Sequence, residues 1–251
     1  MKLSNKILIA FFSLIFILTI VTMVEIHNLE KDYFNDRISG NQKWTSAEYS
    51  ILDFHTLEVG GHFVVRWHKG SPKLIVKIEE SLKPYFRIKQ DSDKLSFNMD
   101  SLETYRSNGN IEVDIYSENL RALKLSDFMQ FSSKDTLNSG TLSFEFEDHV
   151  EVDLLVQTDS LELNLFDFSQ LKLKGSSKVT NADLNGHTEL DAFDFSMQNA
   201  FIHMDDFSKA ELLVLNYLKA ECQDHAILNY KGSTVTAEIN QRNFSEVTKE
   251  N

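Results

Sequence analysis

From about Ile51 onward, apolar and polar residues alternate along the chain with a period of two. Leu57 and Val59 precede Gly60-Gly61, and Phe63, Val65 and Trp67 follow. Alternating runs on both sides of paired glycines predict two strands around a turn or bulge. Leu74, Val76 and Ile78 are interleaved with Lys73, Ile75, Lys77 and Glu79; Leu95, Phe97 and Met99, then Ile111, Val113 and Ile115, obey the same rule. This pattern sends one set of side chains into a core and the other into water. Beyond residue 120 the runs become shorter and more regular: Leu123-Lys124-Leu125, Leu142-Ser143-Phe144, Leu161 through Leu165, Leu171-Lys172-Leu173, Phe201 through Met204, and Ala210-Glu211-Leu212.

A second periodicity lies between these runs. Asp167-Phe168-Ser169, Asp194-Phe195-Ser196 and Asp206-Phe207-Ser208 repeat one tripeptide, and Asp127-Phe128, Asp148-His149, Asn216-Tyr217 and Asp224-His225 are near copies. The aspartates at 127, 148, 167, 194, 206 and 224 are spaced 21, 19, 27, 12 and 18 residues apart. With Gly175-Ser176-Ser177 and Asn216 filling the longer gaps, this predicts a coil of roughly 20 residues with two corners. A strand this short cannot bury its apolar side alone, whereas coil on coil makes a continuous core. The expected fold is all-β, a parallel β-helix or β-solenoid.

Residues 7–24 form a run of 18 residues without a charge. As a helix rising about 1.5 Å per residue it would reach ~27 Å, close to the thickness of a bilayer core. Lys2 and Lys6 precede it and the next basic residue is Lys31, which predicts a cytoplasmic N-terminus and an exported remainder. The run exceeds the usual signal-peptide core and no small-x-small cleavage site follows Met23, so an uncleaved single-pass anchor is expected; a cleaved export signal is the alternative. The predicted organisation is a cytoplasmic stub and transmembrane anchor over 1–24, a spacer over 25–50, the β-solenoid over 51–235 and a polar tail over 236–251.

Charge and cysteine content narrow the function classes. Against a formal −13 for the whole chain, residues 111–230 alone carry 22 acidic and 8 basic side chains, a net of −14, so the rest of the chain is nearly neutral. Such a surface repels phosphate backbones, which argues against nucleic acid, and suits cations or basic partners. Cys222 is the single cysteine, so no internal disulfide and no thiolate zinc site can form; its alternating apolar setting predicts a buried filler.

The ordered residues also resemble a known family. The stretch Phe54-His55-Thr56-Leu57-Glu58-Val59-Gly60-Gly61-His62-Phe63-Val64-Val65, then Gly70 and Val76-Lys77-Ile78, is similar to the opening of the bacterial putative auto-transporter adhesin, head GIN domain family. Short strands with the small turn Lys174-Gly175-Ser176-Ser177 resemble its body, and Ile227 through Gly232 its end, so the resemblance spans about 51–235. It implies a right-handed parallel β-helix, export, and no established activity. Elsewhere in this chain Asp-Phe-Ser or Asp-His replaces the family's small turn. Aspartate suits such a corner because it tolerates positive φ and bonds its own backbone.

Three candidate sites follow. Asp148, Asp167, Asp194, Asp206 and Asp224, if in register, would form a carboxylate column about 4.8 Å apart, whose repulsion a Ca²⁺ ion would relieve. The Gly-rich nonapeptide of calcium-binding β-rolls is missing, so the simpler expectation is turn-forming aspartates and no resident metal or cofactor. Phe128, Phe168, Phe195 and Phe207 would stack as a ladder, either in the core or as an outward strip for a glycan or an envelope protein. Corners reset the alternation, so its period cannot decide between the two. His149 and His225 share the corner position; His55, His62 and His68 suggest no role. No nucleophile elbow, phosphate loop, dinucleotide fingerprint or zinc-protease motif occurs. The expectation is a non-catalytic, membrane-anchored binding or structural module facing the periplasm or exterior. Two alternatives remain: a polysaccharide lyase or hydrolase using aspartates on one face, and an envelope transport or assembly subunit built as an open jelly roll with an apolar groove.

Overall fold

The computed structural model describes residues 12–26, 38–100, 105–232 and 236–250. Strands dominate, and those from Ala122 onward pair in parallel, coil against coil. Leu137–Phe146 lies on Val150–Leu165, which lies on Gln170–Leu184, then Glu189–Met204, then Lys209–Cys222. Two shorter pairings continue the stack: Ile227–Lys231 and Thr236–Gln241 on Lys209–Cys222, and Glu246–Lys249 on Ile227–Lys231. The expected solenoid is therefore present. It runs past the expected boundary at 235, because the tail residues 236–249 supply two further strands.

The register shows why these residues stack. Leu142, Leu161, Thr180, Ala200, Leu218 and Ala237 stand in one column, and Phe144, Leu163, Ala182, Ile202, Ala220 and Ile239 in the next but one. Most of these side chains are inaccessible, and a buried Leu or Phe contributes roughly 1.5–3 kcal/mol. Along Val150–Leu165 the buried positions are every second residue through Thr158 and resume at Leu161. The parity slips by one at Asp159-Ser160, which marks a corner; Thr158 Oγ1 donates to the Ser160 carbonyl at 2.9 Å there. Gly175 stands where two coils touch closely. A Cβ on it would lie 1.9 Å from the Val156 carbonyl oxygen, and its φ is +119°.

The other end of the stack is built differently. Thr56–Gly60 and Phe63–Lys69 form a coil beneath Ala122–Ser126 and Met129–Ser133, and pair on their other side with Lys94–Met99 and Ile111–Ser117. Antiparallel strands then close that end: Phe86–Asp91 on Lys94–Met99, Lys73–Glu79 on Ile111–Ser117, and Trp44–Ser50 on Lys73–Glu79. Residues 38–50, expected as spacer, thus contribute strands. Glu79 is wholly buried in this cap. Its carboxylate accepts from the backbone N–H of Gln42 (2.6 Å) and Asn108 (3.1 Å), from Asn108 Nδ2 (2.9 Å) and from the Ser107 hydroxyl (3.2 Å). Burial alone would raise its pKa; these bonds outweigh that and hold it below the usual value. Gly40 leaves the room, since a Cβ there would stand 1.6 Å from Glu79 Oε2. The closed stack with its continuous core is not the open jelly roll that the transport alternative calls for.

Residues 12–26 are helical, with exposed apolar side chains such as Phe16 and Met23. Residues 7–11 of the expected 7–24 span lie outside the described residues. Among the described residues no helix is long and apolar enough to cross a membrane.

Candidate functional site: an aromatic ladder on one corner

One corner of the solenoid recurs at His62, Phe128, His149, Phe168, His187, Phe207, His225 and Phe244. From Phe128 on, the steps are 21, 19, 19, 20, 18 and 19 residues. Imidazole and phenyl alternate without a break. The first six rings stack nearly parallel, at centroid separations of 5.0, 4.6, 5.0, 4.9 and 5.2 Å and interplanar angles of 11–19°. These separations follow from the coil pitch, which is the spacing between neighbouring strands. The last two contacts, Phe207–His225 and His225–Phe244, turn edge-on at 90° and 77°. All eight residues are exposed.

The local backbone explains the outward aim. In Phe166-Asp167-Phe168-Ser169 both central residues have positive φ, 42° and 61°, and the Ser169 N–H returns to the Phe166 carbonyl. Asp206-Phe207, Asp224-His225 and Asn243-Phe244 repeat this conformation, each closed by the same four-residue hydrogen bond. Two successive left-handed residues define a type I′ turn, which Asn, Asp and Gly adopt easily and a bulky side chain does not. The strain is held by cross-coil bonds: the Phe207 N–H donates to the Asp224 carbonyl and the His225 N–H to that of Asn243. Ser169 Oγ adds a bond to the Phe166 carbonyl at 2.7 Å.

The predicted site residues divide cleanly. Asp148, Asp167, Asp206 and Asp224 occupy the corner immediately before the ring of their coil, as Asp127 does, and all have positive φ. Phe168 and Phe207 point outward, 49% and 55% exposed, which decides the inside-or-outside alternative for them. Asp194 and Phe195 do not belong with them. They lie inside the strand Glu189–Met204, where Asp194 pairs with Lys174 and Phe195 with Gly175. Phe195 is fully buried, its bulk set opposite the missing side chain of Gly175. The true corner of that coil is Gly186-His187. A register shift opposite Lys172 and Lys174 marks a bulge in this coil between its corner and the tripeptide. His62 is given no role by the sequence, and His187 and Phe244 do not stand out in it; the constant step of about 19 residues, rather than the tripeptide, finds His187 and Phe244.

A carboxylate trio accompanies the ladder near its far end. Asp205, Asp206 and Asp224 bring ligand oxygens within 4.8 Å of one another, the donor type that Ca²⁺ accepts, though fewer than its usual six to eight oxygens. Gln223 Nε2 already donates to Asp205 at 2.8 Å. Elsewhere the acidic faces are tied across coils, as in Lys124–Glu145 (2.8 Å), Lys172–Asp191 (2.5 Å) and Lys209–Glu189 (3.2 Å). Glu112 is held below its usual pKa by Lys77 first and Arg66 second. Cys222 is buried as expected, its thiol pushed up to about 11 by desolvation.

Stacked parallel coils and an exposed, strained aromatic corner define an adhesin-like β-solenoid. The chain belongs to the family described as "Putative auto-transporter adhesin, head GIN domain", whose model matches residues 53–234. A description as an adhesin points to a binding role rather than an enzymatic one and to the envelope or cell surface. Solved structures share the fold. A putative adhesin from Bacteroides fragilis is 12% identical, with 85% of this chain and 100% of that chain covered and a TM-score of 0.78. One from Parabacteroides merdae is 18% identical, with 86% and 100% covered and a TM-score of 0.71. A putative lipid binding protein from Parabacteroides distasonis is 16% identical, with the same coverage and TM-score. No curated protein matches the chain.

Proposed function

We propose that this chain is a non-catalytic binding module of the cell envelope, tethered through the apolar stretch 7–24 with its solenoid facing the periplasm or exterior, and that the aromatic corner is its contact surface. The observation that carries this is eight exposed rings in register, several in a backbone conformation glycine would adopt without strain. Left-handed strain in bulky residues costs of order 1–3 kcal/mol each and gathers at working surfaces. Turning the chain requires no ring there. The rings offer an apolar edge, and the aspartates beside them favour a partner with basic groups, such as an envelope protein. Non-catalysis is supported by the family's description as an adhesin.

The test is co-sedimentation of the full chain with envelope preparations from the cells that make it. Replacing Phe128, Phe168 and Phe207 by serine should lower the bound fraction several-fold while cooperative melting persists. High salt should weaken binding of the unaltered chain. Undiminished binding of the triple variant would remove the corner from the argument.

A further inference from the structure

Sugar rings present an apolar C–H face with a rim of hydroxyls, and they are held by an uncovered aromatic face bordered by hydrogen-bonding side chains. The ladder cannot provide this, because neighbours at 4.6–5.2 Å occupy the faces of its stacked rings. Phe201 can. It holds an outward position in Glu189–Met204 and is 40% exposed. Its partners on the adjoining coils are Asn181 and Lys219, neither of them a ring. In the same column the earlier coils carry Thr56, Ala122, Ser143 and Glu162, so nothing in the stacking calls for a phenyl group here.

Phe201 lines a shallow cavity of about 370 Å³ together with Glu162, Asn181, Asp183, His203 and Lys219. Tyr217 stands beside it outside the cavity, with ring centroids 5.8 Å apart and the planes tilted by 54°, an oblique contact and not the parallel stack of the ladder. The bordering groups are amide, carboxylate, imidazole and ammonium, the donors and acceptors that hydroxyls satisfy. Lys219 is paired with Glu221 at 3.5 Å, which leaves Glu162 and Asp183 to set the sign of the field. A carboxylate-bearing sugar would be repelled. We infer that the Phe201 cavity is a saccharide subsite for an uncharged pyranose unit of a glycan, the sugar face on Phe201 and its hydroxyls on Asn181 and Asp183.

This subsite stands apart from the corner and is tested separately. Titration calorimetry of the full chain uses neutral hexasaccharides of glucose, mannose, galactose and N-acetylglucosamine, with a hexauronate as the charged counterpart. At least one neutral probe should bind and the hexauronate should not. Phe201→Ala should weaken binding at least about tenfold and Phe201→Trp should retain it, both with unchanged melting. The triple serine variant of the ladder should bind these probes like the unaltered chain. Failure of every neutral probe, tighter binding of the uronate, or undiminished binding by Phe201→Ala would each overturn the proposal. None of these would touch the corner, whose own assay uses envelope material.

Discussion

Replacing Phe168 by alanine and by glycine separates the two opposing contributions at the corner. Phe168 sits at φ 61° with its ring between His149 at 5.0 Å and His187 at 4.9 Å. Each ring contact contributes about 0.5–1.5 kcal/mol, so losing both costs about 1–3 kcal/mol in either variant. Alanine keeps the left-handed penalty of about 1–2 kcal/mol. Glycine removes that penalty and gives back about 0.5–1 kcal/mol through its freer unfolded chain. Phe168→Ala should therefore be destabilised by about 1–3 kcal/mol, and Phe168→Gly should recover about 0.5–1 kcal/mol of that loss. For an ordered unit of about 200 residues, 1 kcal/mol moves Tm by about 2–4 °C. Scanning calorimetry and urea titration of the full chain would resolve the order of the two variants. If Phe168→Gly melts at or below Phe168→Ala, the corner is not left-handed as described and the strain argument for a working surface fails with it.

Further outcomes follow from the same geometry. Gly175→Ala places a Cβ 1.9 Å from the Val156 carbonyl oxygen at φ +119°. Loss of more than about 3 kcal/mol, read as a collapse in soluble yield and Tm, is expected. Ser169→Ala, which removes the 2.7 Å bond to Phe166, should cost about 1 kcal/mol. Ser208→Ala should be neutral or stabilising by urea titration, since the Ser208 hydroxyl is buried without a partner among the described residues. Glu79 has a depressed folded pKa, so its contribution is complete above the unfolded carboxyl value of about 4.3 and is lost as pH falls through the folded value. The stability gap between the unaltered chain and Glu79→Gln should thus be constant at neutral pH and close in acid; a gap that widens as pH falls would contradict the sign.

Much of the fold was legible because period-two alternation and a 20-residue recurrence are direct consequences of strands stacked coil on coil. Leu161, Leu163 and Leu165 could be assigned inward by parity alone. The corner aspartates were legible for a chemical reason, since few residues other than glycine accept their conformation. Asp194 and Phe195 misled because matching a tripeptide takes no account of where in the coil it falls: they follow the corner Gly186-His187 by eight residues and lie inside the strand Glu189–Met204. The direction of Phe168 could not be read, since two adjacent left-handed residues break the alternation on which inside and outside depend. The antiparallel cap escaped notice because parallel and antiparallel strands share the same period. Its buried Glu79 looked like any outward acidic residue until the donors of Gln42, Ser107 and Asn108, far apart in the chain, met around it.

The His–Phe order has a consequence for how such molecules can change length. Its repeat is two turns of the solenoid, about 39 residues from Phe168 to Phe207, although the backbone repeats every turn. An insertion or deletion of one turn would leave the hydrophobic interior undisturbed yet set two phenyls or two imidazoles face to face. Only even-numbered changes preserve both the scaffold and the sequence of its rim, so lineages under selection for that rim should grow and shrink by pairs.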